Sequence, residues 1–226
     1  MKIQGLIFDL DGTLLQTLTD IANSANEVLA EQGFPLHPVS AYGQFVGDGV
    51  CILMRRAAHP NVVTSELIEQ SAARFEEVYL RRKNECAHPY DGILELLDAA
   101  ESARIPAAVL SNKPHPLVLD CIATFFEQWN FVKVLGQSSQ RPCKPDPEGA
   151  LEIARAFGAD PAEIICVGDM PVDMETARNA GMVAAGVSWG FRPDQELQEA
   201  GADFIVHHPR ELIDVLDSGY PIGGNS

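Results

Sequence analysis

The sequence predicts an α/β fold, a doubly wound parallel sheet that is interrupted by a helical insert. Short, almost continuously apolar runs recur along the chain, and from residue 88 onward helical patterns separate them. The interval from about residue 18 to 85 differs, because it has helical patterns and no convincing strand. Alternation of strand and helix is typical of a parallel sheet covered by helices.

The predicted strands are the apolar runs themselves. A strand of a parallel sheet is buried on both faces, so its sequence is apolar nearly throughout instead of alternating. This pattern is found at residues 3–8, 105–110, 131–135, 164–167, 183–187 and 203–206.

Helices of the core are predicted between these strands. Apolar residues recur at helical spacing in four segments, 92–103, 116–126, 147–157 and 171–180. A glycine directly after a helical pattern is a common end signal, and Gly158 and Gly181 stand at such positions.

The insert is predicted to be helical over 19–31, 49–57 and 65–84. The first of these helices has an apolar stripe at helical spacing, which is formed by Ile21, Ala25, Val28 and Leu29. An insert that follows the first strand is expected to lie over the carboxyl edge of the sheet.

Composition excludes several classes of function. The chain of 226 residues carries a net charge of -16, so nucleic acid and anionic membranes are not expected as partners. Its five cysteines form no CxxC pair, which favours reduced thiols and a cytoplasmic protein. Asp9 and Asp11 interrupt the first apolar stretch, so neither a signal peptide nor a spanning helix is predicted. The glycine-rich tail is predicted to fray.

Polar residues stand where the predicted strands end. Because the carboxyl ends of parallel strands meet at one edge, these residues are expected to lie together: Asp9, Asp11, Gly12, Ser111, Asn112, Lys113, Lys144, Gly168, Asp169 and Asp173. Burying like charges is costly unless a cation compensates them. Since Mg²⁺ prefers carboxylate and phosphate oxygens, the sequence predicts a magnesium site that bridges the carboxylates and a phosphate.

The same residues form ordered motifs, namely DxDGT at 9–13, Ser111-Asn112 after an apolar strand, Lys144 in KPDP, and GDMPVD at 168–173. Together they resemble the haloacid dehalogenase superfamily of phosphohydrolases, and the resemblance covers nearly the whole chain. It implies a Rossmann-like catalytic core, formed by residues 1–17 and 86–226, and a helical cap, formed by residues 18–85.

The resemblance also implies residue roles. Asp9 is expected to be the nucleophile, giving an aspartyl-phosphate, and to bind Mg²⁺ together with Asp169 and the main-chain carbonyl of Asp11. Asp11 is expected to be the general acid and base. The phosphoryl oxygens are expected to be held by Ser111, Asn112 and Lys144. Asp173 is expected to orient Lys144 or the waters of the metal.

Within the superfamily, the stretches FVGDGV, LSNKP and GVSWGF are similar to the phosphoglycolate phosphatase subfamily. This similarity implies a small phosphorylated metabolite, 2-phosphoglycolate, as the substrate. Its carboxylate is expected to be bound by main-chain amides of the Gly47, Asp48 and Gly49 loop, or by Arg55 or Arg56. Gln16 departs from the subfamily, which usually has an acid there.

Other functions stay open at this point. A β-phosphoglucomutase-like enzyme resembles this chain, although such sequences have a histidine where Ile21 stands and an arginine near Val50. A pyrophosphatase of the same superfamily is a second alternative. A non-catalytic phospho-acceptor module is a third, but its chain would be shorter and would lack a cap. The sequence does not distinguish a monomer from a homodimer.

Overall fold

The computed structural model describes residues 2–58, 64–82 and 84–218. In these ranges a parallel sheet has the strand order β5-β4-β1-β6-β7-β8. Its strands are β1 (Gly5–Phe8), β4 (Ala107–Pro114), β5 (Phe131–Gln137), β6 (Ile164–Gly168), β7 (Val183–Val187) and β8 (Phe204–Val206). The strand order reverses around β1, whose neighbours are β4 and β6. The α/β fold class predicted from the sequence is confirmed.

Helices cover both faces of the sheet. One face packs against α5 (Ile93–Ser102), α6 (His115–Phe125) and α10 (Pro209–Ser218). The other face packs against α7 (Glu148–Phe157), α8 (Pro171–Ala180) and α9 (Asp194–Glu199). Burial on both faces explains why the strands are apolar throughout. Within the described ranges, none of the helices combines the length and the apolar character that crossing a bilayer requires.

Four helices of the described residues, the cap helices, lie between β1 and the later strands of the sheet along the chain. They are α1 (Leu18–Glu31), α2 (Val39–Phe45), α3 (Val50–Ala57) and α4 (Ser65–Arg82), and they enclose their own apolar cluster. Leu117 of α6 belongs to this cluster as well, so it joins the cap helices to the core. The sequence analysis did not predict α2. The predicted helix over 65–84 includes residue 83, which lies outside the described residues, as does the tail over 219–226.

A two-stranded antiparallel ribbon marks the crossing between the core and the cap helices. It pairs β2 (Leu15–Gln16) with β3 (His88–Pro89). Beside it, the buried carboxylate of Asp20 in α1 accepts hydrogen bonds from the backbone N–H of Cys86 at 3.0 Å and of Ala87 at 2.8 Å. The segment that leads into the cap helices and the segment that returns from them therefore lie side by side and are joined by hydrogen bonds. The domain boundaries at 17/18 and 85/86 stay a prediction.

The strand β4 runs further than predicted. The apolar pattern predicts a strand that ends at residue 110, whereas the structure continues it through Pro114. Pairing with β5 continues past a register shift between Leu110 and Pro114, and Pro114 lies opposite Gln137. As a result Ser111, Asn112 and Lys113 lie inside the strand and are buried.

Candidate active site

The carboxyl edge of the sheet gathers the predicted site residues from distant parts of the chain. Asp9 follows β1 directly, and its backbone N–H continues the ladder by donating to the carbonyl of Val167 at 2.9 Å. Asp169 follows β6, and Asp173 lies in the first turn of α8. Ligand oxygens of these three carboxylates lie within 4.8 Å of one another, and all three residues are buried.

Asp169 is held rigidly. Its Oδ1 accepts a hydrogen bond from the Thr13 hydroxyl at 3.0 Å, and its Oδ2 accepts one from the Phe191 N–H at 2.8 Å. Gly12 lies against it with φ +88°, and a Cβ there would be 2.3 Å from Asp169 Oδ2. The glycine of DxDGT is therefore required both by its backbone conformation and by the approach of Asp169.

Lys144 is the cation beside these carboxylates. Its Nζ donates to Asp173 Oδ1 at 2.6 Å and lies 2.9 Å from Asp9 Oδ1, and its side chain is only 4% exposed. The second oxygen of Asp173 accepts a hydrogen bond from the Met170 N–H at 3.0 Å, which joins Asp173 to the start of α8. This contact agrees with the expectation that Asp173 orients Lys144.

The residues fit a divalent cation. Asp9 Oδ1 is buried and has no hydrogen-bond partner among the described residues, although Lys144 Nζ lies 2.9 Å away. Burial, together with the carboxylates of Asp173 and Asp9, raises the pKa of Asp169 well above its ordinary value. One ammonium does not offset three buried carboxylates. Carboxylate oxygens of this kind are the ligands that Mg²⁺ prefers.

Ser111 and Asn112 have different surroundings. Ser111 Oγ accepts a hydrogen bond from the Lys113 N–H at 3.3 Å and lines the cavity described below. The side chain of Asn112 bonds backbone groups, since Nδ2 donates to the carbonyls of Gly47 and Lys144, both at 3.1 Å, and Oδ1 accepts from the Lys144 N–H at 2.8 Å. Asn112 therefore ties the Gly47 loop to the Lys144 loop, and its predicted contact with phosphate stays a prediction.

Asp11 has a partner that the sequence analysis did not assign. Lys113 Nζ donates to both Asp11 carboxylate oxygens, at 2.9 and 3.1 Å, and to the hydroxyl of Tyr79 in α4 at 3.0 Å. It also lies 4.2 Å from the centre of the Tyr79 ring. Although burial disfavours the ammonium form, the Asp11 carboxylate raises the pKa of Lys113 well above its ordinary value.

A cavity separates the carboxyl edge from the cap helices. Its floor is formed by core residues: Asp9, Asp11, Ser111, Asn112 and Lys113. Its roof is formed by apolar side chains of the cap helices and their loops: Ile21, Val46, Val50, Leu53 and Phe75. The cavity has a volume of about 60 Å³. One water molecule needs about 10–15 Å³ of such volume, so the cavity has room for only a few waters. The cavity is therefore compact.

The predicted cap contacts fall into two groups. Gly47 and Gly49 line the cavity. Gly47 has φ +115°, and a Cβ there would be 2.3 Å from Met170 Cε, so the loop approaches the core closely. Asp48 and Arg55 do not line the cavity, since both are exposed and Asp48 pairs with Arg56 at 2.6 Å on the surface. The lining of the cavity does not support their predicted contacts with substrate, which stay predictions.

Known proteins resemble this chain along most of its length. A family model described as haloacid dehalogenase-like hydrolase matches residues 6–187. The chain belongs to this family. It is 33% identical over 219 residues to N-acetylmuramic acid 6-phosphate phosphatase from Pseudomonas aeruginosa, covering 96% of each chain. It is 30% identical over 220 residues to phosphoglycolate phosphatase from Vibrio vulnificus, covering 95% of this chain and 96% of the relative.

The solved structures agree with this assignment. A crystal structure described as a predicted phosphoglycolate phosphatase from Haemophilus somnus matches with a TM-score of 0.87 and 25% identity, covering 95% of this chain and 98% of the other. The predicted superfamily, its Rossmann-like fold and its class of activity are confirmed. This haloacid dehalogenase-like hydrolase is a phosphoric monoester hydrolase.

Sequence reasoning missed three contributors to the site of this haloacid dehalogenase-like hydrolase. The first is the pair of groups that hold Asp169, namely the Thr13 hydroxyl and the Phe191 N–H. The second is Met170, which packs against Gly47. The third is the pairing of Lys113 with Asp11 and Tyr79. Lys113 stood among the strand-end residues, but no local pattern indicates which carboxylate it meets, because Asp11 is distant along the chain.

Proposed function

We propose that the protein is a magnesium-dependent phosphatase that hydrolyses a small phosphomonoester through an aspartyl-phosphate on Asp9. The single observation that carries this proposal is the buried contact of Asp9 with Lys144, beside Asp169, on the floor of a cavity. Mg²⁺ would be held by Asp9, Asp169 and the main-chain carbonyl of Asp11. When bound, it supplies positive charge that offsets the repulsion between a carboxylate and a phosphate dianion.

Asp9 acts as the nucleophile in the first half-reaction. A carboxylate oxygen of Asp9 forms a bond to phosphorus while the bond from phosphorus to the ester oxygen breaks. Asp11, in its protonated form, gives its proton to the departing ester oxygen, so the leaving group departs as an alcohol and Asp11 becomes a carboxylate. Lys144, which Asp173 orients, holds the phosphoryl oxygens together with Ser111.

Asp11 reverses its role in the second half-reaction. It takes a proton from a water molecule, the water oxygen bonds to phosphorus, and the bond from phosphorus to Asp9 breaks. Inorganic phosphate leaves, Asp9 returns as a carboxylate and Asp11 is again protonated. The apolar roof keeps bulk water away from the intermediate while one water reacts.

We propose 2-phosphoglycolate as the substrate. The cavity beneath the cap helices is compact, so it suits a phosphoryl group with a short leaving group. Ile21 and Val50, which stand where β-phosphoglucomutase-like sequences have polar residues, both line the cavity, and this argues against a mutase. N-acetylmuramic acid 6-phosphate is the second candidate, because a relative at 33% identity is named for it.

The test is steady-state release of phosphate with Mg²⁺. Each substrate is compared by kcat/KM: 2-phosphoglycolate, N-acetylmuramic acid 6-phosphate, glucose phosphates and pyrophosphate. We expect 2-phosphoglycolate to be among the best. A sugar phosphate or pyrophosphate that wins by about tenfold or more, or about 1.4 kcal/mol of transition-state preference, contradicts the substrate and leaves the phosphatase proposal standing. Absence of turnover on every phosphomonoester contradicts the phosphatase proposal itself.

A further inference from the structure

The charge distribution of the cavity is uneven. The roof presents apolar side chains, and among the described residues that line the cavity Lys113 is the only cationic one. The arginines of α3 do not contribute, because Arg55 and Arg56 are exposed and Arg56 is paired with Asp48. A carboxylate that enters with the leaving group loses its hydration, and this is costly unless a cation meets it. Lys113 is the cation in position to do so.

Lys113 can exchange one of its contacts for a ligand. An ammonium has three N–H groups. In this structure its described partners are the Asp11 carboxylate, whose two oxygens lie at 2.9 and 3.1 Å, and the Tyr79 hydroxyl at 3.0 Å. These three contacts account for the three N–H groups, so a ligand carboxylate would bind Lys113 by replacing one of them. Lys113 is one of the residues that line the cavity, so a bound molecule can compete for this contact.

We propose that Lys113 is a specificity-determining residue, which holds Asp11 and binds a carboxylate of the leaving group close to the ester oxygen. This inference rests on the proposed function. Asp11 must lie about 3 Å from the ester oxygen to protonate it, and a carboxylate bound to Lys113 lies about 3 Å from the ammonium. The ester oxygen and the carboxylate are therefore neighbours of the same ion pair.

The geometry selects a chemical class. In a 2-phosphoryloxy carboxylate, a single carbon separates the ester oxygen from the carboxylate carbon, so both groups can contact the pair at once. In N-acetylmuramic acid 6-phosphate the carboxylate is on a lactyl ether at another ring position, several bonds from the ester oxygen. Lys113 therefore favours 2-phosphoryloxy carboxylates over sugar phosphates whose carboxylate is remote.

The test compares 2-phosphoglycolate with its neutral amide, 2-phosphoglycolamide, which has nearly the same shape. Loss of Lys113 disturbs Asp11 and slows both substrates, so the informative quantity is the ratio of their kcat/KM values. We expect the wild-type protein to favour the carboxylate by about tenfold or more, as a charge-assisted hydrogen bond allows. In Lys113→Met this ratio falls to about two or less, and in Lys113→Arg it stays above the Lys113→Met value.

Lys133→Met is the matched control. It removes a lysine on β5 that pairs with Glu152 outside the cavity, so it keeps the wild-type ratio. Circular dichroism and thermal unfolding check that each variant folds. If Lys113→Met does not fold, Tyr79→Phe replaces it, because this change removes only the hydroxyl that Lys113 contacts. We then expect a lower KM for 2-phosphoglycolate, because the freed N–H of Lys113 can bind its carboxylate, and an unchanged KM for the amide.

The outcomes separate the two proposals. An equal fall of both substrates in Lys113→Met, or the same ratio in wild type and Tyr79→Phe when that variant is used, overturns the role of Lys113 in specificity. A wild-type protein without preference for the carboxylate also overturns it, provided that the amide is hydrolysed. If the wild type hydrolyses none of the three compounds, 2-phosphoglycolate, its amide and p-nitrophenyl phosphate, the proposed function is overturned instead.

Discussion

The floor and the roof of the cavity are built from opposite kinds of side chain. On the floor, Asp9, Asp11 and Lys113 are charged and largely buried, and each lies beside an opposite charge within 3.1 Å. On the roof, residues such as Val50 and Leu53 are apolar, so they line the cavity without offering a charge or a hydrogen bond from their side chains. A polar floor and an apolar roof thus face each other across the cavity.

The difference between the charged floor and the apolar roof assigns a separate role to each. Removing one partner of a buried ion pair leaves an uncompensated charge, so a single substitution on the floor should be strongly destabilising. An apolar roof has no such partners, and a changed side chain there alters volume and packing. The floor should therefore determine whether a phosphomonoester is hydrolysed, and the roof should influence which one.

The largest effect is expected at the nucleophile. Asp9→Asn replaces the attacking carboxylate by an amide of the same shape, so turnover of every phosphomonoester should be abolished. Steady-state phosphate release by folded protein with Mg²⁺ measures this. Asp214→Asn, an exposed residue of α10, serves as the control and should keep wild-type activity. Normal activity in Asp9→Asn would rule out covalent catalysis on this residue.

Two other floor residues should separate by their response to metal. Asp169→Ala removes a proposed Mg²⁺ ligand, so its large loss of activity should be partly rescued by excess Mg²⁺. Lys144→Ala removes a group that contacts phosphate, so excess Mg²⁺ should not rescue it. Magnesium titrations of kcat/KM distinguish the two variants, and identical titration curves would mean that the assigned roles are wrong.

A roof substitution should alter selectivity without abolishing the chemistry. Leu53→Ala widens the roof and should raise kcat/KM for p-nitrophenyl phosphate several-fold relative to 2-phosphoglycolate. Leu53 is 4% exposed, so the variant should also lose about 2–4 kcal/mol of unfolding free energy. Leu197→Ala in α9, which is buried outside the cavity, is the control. It should lose stability and keep the substrate ratio, and the same ratio in both variants would contradict the role of the roof.

The smallest effect is expected in the stability of the metal-free protein. Burial raises the pKa of Asp169 above its ordinary value of 3.8. A carboxyl whose pKa is raised by folding contributes stability at pH below 3.8, and this contribution is lost as the pH rises through the raised pKa. Asp169→Asn has no such loss, so its advantage in unfolding free energy over the wild type should grow with pH.

Urea unfolding with a chelator, over a series of pH values, measures this advantage. Asp214→Asn removes the same charge at an exposed position and should show a smaller pH dependence of its difference from wild type. A difference between Asp169→Asn and wild type that does not change with pH would contradict the raised pKa.

Most of the fold was predictable because its elements have local causes. Continuous apolar runs specify strands that are buried on both faces, and the helices between them carry their own apolar spacing and glycine end signals. The extent of β4 was not predictable in this way. Its last residues are polar, and they stay in the strand because β5 pairs with them past a register shift.

The sequence by itself determined which residues meet at the carboxyl edge, since Asp9 and Asp169 follow strands that any parallel sheet must align. Only the tertiary structure decided how these residues pair. Lys113 meets Asp11 and Tyr79, while Arg55 lies away from the cavity, although both were cationic residues near the predicted site. The physical reason is that strand ends follow from local pattern, whereas the partner of a buried charge depends on how segments distant in the chain pack together.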